Sequence, residues 1–149
     1  MSVPRGRPPE SAVAIEGEVP FHDVDPLHIV WHGHYYKYLE VARTVLLRRH
    51  RIDGPDLIPL GYRFVVAHAE CRYAHPLRYG ERYRVRAWFR DTEQRIDIAY
   101  EVTNLTAERR AARARTTLVT TDAEGVLLFE TPAVLRARIA GGPAPSEGA

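Results

Sequence analysis

The apolar residues of this chain fall into two periods, and the change between them marks out the fold. Val13, Ile15, Gly17, Val19 and Phe21 alternate, which predicts a strand over 13–21. From Tyr35 the period lengthens. Tyr35, Tyr38, Leu39, Ala42 and Leu46 form one stripe over three turns, and the spacing predicts a helix from about His32 to His50. Glu40 and Arg43 lie three apart and are placed to pair weakly on its surface. "DGPDLIPLG" (53–61) carries two prolines and two glycines and reads as a loop with one helical turn starting at Pro55. Alternation then returns. "YRFVVAHAECRY" (62–73) reads as a strand, and "HPLRYGE" (75–81) as a turn.

The next strands are more regular. In "RYRVRAWFR" (82–90), Tyr83, Val85, Ala87 and Phe89 face one way, and four arginines with Trp88 face the other. "RIDIAYEVTN" (95–104) turns Ile96, Ile98, Tyr100 and Val102 inward. "RRAARARTTLVTTD" (109–122) is a further long strand. "VLLFE" and "PAVLRARI" read as a last strand bent at Pro132. The order is strand, long helix, then several antiparallel strands joined by short turns. That is an α+β arrangement, with a lone helix on the concave face of a curved sheet. The arginines and an exposed Trp88 are expected on the opposite, solvated face.

Composition narrows the class. The chain has 149 residues, which suits one domain with a core that needs no staples. Hydrophobic content of 45% and charged content of 27% are ordinary for a globular protein. Net charge is only +2, so no nucleic-acid partner is expected. The positive charge is nearly all arginine, with Lys37 the sole lysine. Arginine grips phosphate in a fork, which keeps Arg63, Arg72, Arg78 and the arginines of 82–90 in play as contacts to a phosphorylated ligand. No apolar run approaches the ~18 residues that span a bilayer. The N-terminus lacks the apolar stretch of a signal peptide. Cys71 is the only cysteine, which fits a reducing cytoplasm. Residues 1–11 and 141–149 read as a disordered arm and tail around a single domain at 12–140.

The chemistry is concentrated in "FHDVDPLHIVWHGHYYKYLEVAR" (21–43), which holds Asp23, Asp25 and four of the seven histidines. Asp23 and Asp25 lie between a strand and a helix, where reactive groups are commonly held. Aspartates also favour turns, and Pro26 fixes one. His28 and His32 are four apart, a spacing seen in metal-binding helices. His28 precedes the predicted helix and no further ligand is evident, so neither a metal nor a cofactor is expected. The helix start adds a partial positive charge from its free N–H groups. A carboxylate beside such donors suits acyl transfer, with the carboxylate as nucleophile or as base toward water.

This stretch resembles the signature of the 4-hydroxybenzoyl-CoA thioesterase family, the hotdog-fold acyl-CoA thioesterases. The matching residues are Phe21, Asp23, Asp25, Ile29, Val30, Trp31, His32, Tyr35, Glu40, Ala42 and Arg43. "FVVAHAECRYAHPLRYGERYRV" continues the resemblance more weakly. It implies a hotdog fold, a long central helix wrapped by a curved antiparallel sheet of five to six strands, paired into homodimers or homotetramers with sites between subunits. It also implies hydrolysis of an acyl-CoA or acyl-carrier-protein thioester. By the same resemblance Asp25 and His32 are the catalytic candidates, and Asp23 is a turn or supporting residue. His28, Trp31 and Tyr35 are substrate-binding candidates.

The family commonly carries Gly where His28 stands, so "PLH" is expected to narrow or polarise the pocket mouth. The subgroup with "DPxHVVWHG" is more similar, and resembles thioesterase-type proteins of polyketide-like and aryl polyene pathways, whose acyl groups ride on carrier proteins. His34 stands where Asn is common in that subgroup. The oxyanion donors are either the first helical turn or the backbone near Gly61 to Phe64. Two other readings stay open: a dehydratase or isomerase pairing a histidine with a carboxylate across subunits, and a non-catalytic thioester-binding subunit.

Overall fold

The structure, a computed structural model, describes residues 6–142. Residues 1–5 of the predicted arm and 143–149 of the predicted tail lie outside the described residues. Strand β1 (Val13–Glu18) is followed by single helical turns at Phe21–Asp23 and His32–His34, then by helix α1 (Tyr35–Arg49) and a short helix α2 (Gly54–Leu57). Strands β2 (Tyr62–Tyr73), β3 (Arg82–Phe89), β4 (Ile96–Asn104) and β5 (Arg109–Asp122) come next, and helix α3 (Ala133–Ala140) closes the chain. The five strands form one antiparallel sheet in the order β1-β3-β4-β5-β2.

The apolar stripe of α1 packs on one face of this sheet. Tyr35, Tyr38, Leu39, Ala42, Leu46 and Leu47 are buried, and they meet Val85, Ala87, Ile96, Ile98, Tyr100 and Val102 from the strands. A fully buried leucine such as Leu39 or Leu46 contributes about 2 kcal/mol. Tyr100 is buried whole, and its hydroxyl is satisfied by Thr116 Oγ1 at 2.7 Å. α1 ends where Arg51 takes a left-handed φ of 60°, and Ile52 N–H returns to the Leu47 carbonyl at 2.9 Å. Gly61, at φ 82°, makes the turn from the α2 segment into β2.

The opposite face of the sheet carries the arginines, partly exposed to solvent, and pairs several of them with carboxylates on neighbouring strands. Glu16 lies across from Arg84, and the two form an ion pair at 3.1 Å. Arg115 is only 5% exposed and bonds Asp97 at 2.6 Å, with Thr117 Oγ1 on the same carboxylate at 3.0 Å. Trp88, expected to be exposed, is half-buried and lines a small cavity with His50, Phe89 and Ile139.

The C-terminal expectation is corrected. "PAVLRARI" is helix α3, not a bent strand, and α1 is not alone. Pro132 sits just before the first helical residue, where its fixed φ fits and its missing N–H costs nothing. Leu135 and Ile139, four apart, pack against the core. The same residues also alternate with period two, so the pattern fits both structures; the alanines at 133, 137 and 140 favour helix. "VLLF" (126–129) makes only an isolated bridge, Thr121 to Leu127, with Leu128 N–H on the Thr120 carbonyl at 2.9 Å.

Candidate active site

The segment between β1 and α1 folds into a small hairpin that presents Asp25. Val24 bridges Val30. Inside that bridge, Asp25 N–H donates to the Ile29 carbonyl at 2.9 Å, and His28 N–H donates to the Asp25 carbonyl at 2.8 Å. The loop is Pro26–Leu27–His28, and His28 takes a left-handed φ of 64°. A three-residue hairpin loop ends in this conformation, which glycine adopts without strain. The glycine common at this position in the resembling family thus has a backbone reason. The Asp25 side chain helps to hold its own turn, since Oδ1 accepts Leu27 N–H at 2.8 Å. No other hydrogen bond to this carboxylate is formed among the described residues, and Asp25 is half-buried.

The hairpin is tied to its surroundings on two sides. Val30 N–H donates to the Leu77 carbonyl at 2.8 Å, and Trp31 N–H to the Asp23 carbonyl at 3.0 Å. Asp23 itself is 2% exposed. Its carboxylate accepts the Lys37 ammonium on Oδ1 and the Tyr38 hydroxyl on Oδ2 at 2.6 Å, which clamps the first turn of α1 to the helical turn that leads into the hairpin. Burial pushes the Asp23 pKa up, but Lys37 and Tyr38 outweigh it and hold it below its ordinary value of 3.8. Burial and the Asp23 charge together push the Tyr38 phenol upward, so it stays a donor.

Asp25 lines a cleft of about 480 Å³ with Leu27, Ile29, Val30, His32, Tyr35, Tyr73, Ala74, His75 and Pro76. The walls are mostly apolar and aromatic. Burial pushes the Tyr35 phenol up to about 12. Cys71, nearby on β2, is pushed up to about 11 by burial, so its thiol is neutral and not a ready nucleophile. The structure thus brings Asp25, His32 and Tyr35 together. His28 and Trp31 are not among the cleft-lining residues. Trp31 instead lies over Gly33, where a Cβ would stand 2.2 Å from the indole, and meets the His34 ring edge-on at 5.2 Å. His34 Nε2 lies 4.0 Å from Asp23, on the supporting side rather than in the cleft.

Tyr73 and His75 were not singled out by the sequence pattern. Both come from the end of β2 and the turn that follows, which read simply as strand and turn. Tyr62, Arg63 and Phe64 line a different cavity, of about 310 Å³, with Glu40 and Arg43. Within one chain, then, the backbone near Gly61 to Phe64 does not face the Asp25 cleft. Among the described residues no group of three or more His, Cys, Asp or Glu is close enough to hold a metal ion. No helix among them is long and apolar enough to cross a membrane.

Comparison with known proteins matches this geometry to a family. A Synechocystis protein named "Putative esterase sll0410" is 28% identical over 117 residues, covering 77% of this chain and 70% of its own. The Bacillus subtilis protein named "Putative acyl-CoA thioesterase YneP" is 33% identical over 76 residues, 51% of this chain and 55% of that one. The crystal structure of Slr0204, a 1,4-dihydroxy-2-naphthoyl-CoA thioesterase from Synechocystis, superposes with a TM-score of 0.72 at 20% identity, over 87% of this chain and 96% of the other. The helix-on-curved-sheet architecture is therefore the hotdog fold. The thioesterase-like superfamily model matches residues 19–139, from just after β1 into the last turn of α3, and the chain belongs to that superfamily.

Proposed function

We propose that this chain hydrolyses acyl thioesters, carried on coenzyme A or on an acyl carrier protein, with Asp25 as the reacting carboxylate. The observation that carries the reading is the placement of Asp25. One oxygen is held by a tight turn, and the residue borders an apolar cleft that also includes the start of α1. The apolar walls suit an acyl chain or ring. Asp25 either attacks the thioester carbonyl or takes a proton from the attacking water. In both cases the carbonyl oxygen gains negative charge, and the N-terminal end of α1, which carries a partial positive charge, suits its stabilisation. His32, in the same cleft, orders the substrate or the water. The products are a carboxylic acid and a free thiol.

The working unit in this reading is at least a homodimer. β2 pairs with β5 on one side only, and its other edge exposes Val65 and Val66. A twelve-residue strand with one unpaired edge is a ready template for antiparallel pairing with a second copy. A reducing cytoplasm suits a chain whose lone thiol, Cys71, is half-buried.

The test is a panel of acyl-CoA and acyl-carrier thioesters of varied length and aromaticity, assayed for thiol release with Asp25→Asn as control. Thiol release from at least one class, lost in the variant, is the expected result. Full activity in Asp25→Asn would remove Asp25 from the mechanism. Dehydration of a 3-hydroxyacyl thioester with no thiol released would replace hydrolysis as the reaction.

A further inference from the structure

Tyr73 is the last residue of β2 and meets the site in three ways. Its hydroxyl donates to the His32 carbonyl at 2.7 Å, across 41 residues of chain. Its ring stands edge-on to Tyr35, with centroids 4.9 Å apart, and to the His32 ring at 6.1 Å. It is also 46% exposed and lines the cleft that holds Asp25. Burial and the neighbouring Cys71 thiol push its pKa up, so the phenol remains a donor at neutral pH.

We infer that Tyr73 is a positioning and acyl-selecting residue of the proposed thioester site, its hydroxyl fixing the His32 turn and its ring forming a wall of the acyl cleft. The inference rests on the thioesterase reading above. A peptide carbonyl held on one side fixes the plane of the 32–33 peptide. That plane sets the direction from which the His32 imidazole enters the cleft. The ring acts separately. Edge-to-face contact with Tyr35 leaves an aromatic wall that favours planar or bulky acyl groups over short ones. The two functions reside in different atoms of one side chain, so two substitutions separate them.

Tyr73→Phe keeps the wall and removes the hydroxyl. Its kcat should fall about tenfold, with KM nearly unchanged. Tyr73→Leu removes both, and its KM should rise severalfold for the bulkiest substrates, with a smaller change for short acyl groups. Melting temperature is recorded for each variant, since a purely structural role moves stability and leaves the kcat and KM of the folded fraction alone. If Tyr73→Leu does not fold, Tyr73→Phe carries the test. An active wild type with a Tyr73→Phe variant of equal kcat, or a loss that tracks only melting temperature, overturns the positioning role. A wild-type chain that hydrolyses no thioester overturns the function itself, and the role of Tyr73 with it.

Discussion

Asp23 and Asp25 are the same residue type, two positions apart, and the fold gives them opposite surroundings. Asp23 is buried, and each of its oxygens accepts a bond, one from Lys37 and one from Tyr38. Asp25 is half-buried and uses one oxygen to hold its own turn, beside an apolar cleft. A carboxylate with its lone pairs committed is a fastener, because reaction would require breaking the bonds that hold the fold. A carboxylate with capacity to spare, at a cleft, is free to react. Environment rather than residue type separates the roles, as in paired-carboxylate enzymes generally.

The contrast is broken most sharply at Asp25. Asp25→Asn should cut thioester turnover by about 10²- to 10⁴-fold. It should leave the melting temperature unchanged, because the amide oxygen still accepts Leu27 N–H. Turnover kinetics beside a thermal melt check both halves. At Asp23 the pattern should invert. Asp23→Ala strands the Lys37 ammonium and the Tyr38 hydroxyl and should cost about 2–3 kcal/mol of stability in a urea titration. Activity should then fall only as far as the folded fraction falls.

Acid should separate the two residues again. The folded pKa of Asp23 lies below its unfolded value near 3.8. Its stabilising contribution is therefore complete above that value and is lost as pH falls through the depressed one. Melting temperature against pH should drop on the acid side in the wild type and drop less steeply in Asp23→Asn. Equal slopes would show that the Lys37 and Tyr38 bonds do not depend on the carboxylate charge. The smallest effect is expected at the turn between the site and solvent. His28→Gly relieves a left-handed residue and should stabilise by up to about 1 kcal/mol, less the entropy glycine adds to the unfolded chain. A loss of stability there would mean that the imidazole makes a contact worth more than the strain.

Much of the fold is legible because burial and period coincide. The stripe Tyr35, Tyr38, Leu39, Ala42 and Leu46 is the buried face of α1, and Ile96, Ile98, Tyr100 and Val102 are the buried face of β4. Where two periods fit one segment, local pattern cannot choose, and α3 is that case. The outer arginines posed a different difficulty. A run such as Arg82, Arg84 and Arg86 gives no hint of its partners, because Glu16 and Glu18 reach it only through the pairing of β1 with β3.

The candidate site divides along the same line. The sequence alone determined the local chemistry: Asp25 and Pro26 make a tight turn, and the residues that follow begin an amphipathic helix. Those features depend on neighbours within a few positions. Tertiary structure decided which aspartate is a fastener, since Lys37 and Tyr38 come from the next element. It also decided that Tyr73 enters the site. Tyr62 and Phe64 pack against the core from even positions, but the register of β2 against β5 slips between Val66 and His68, and Cys71, in phase with Tyr73, packs from an odd one. One extra residue reverses every side chain beyond it. Val65, Val66 and Ala67 are apolar in either phase, so only the partner strand fixes where the slip occurs, and with it the face on which Tyr73 stands.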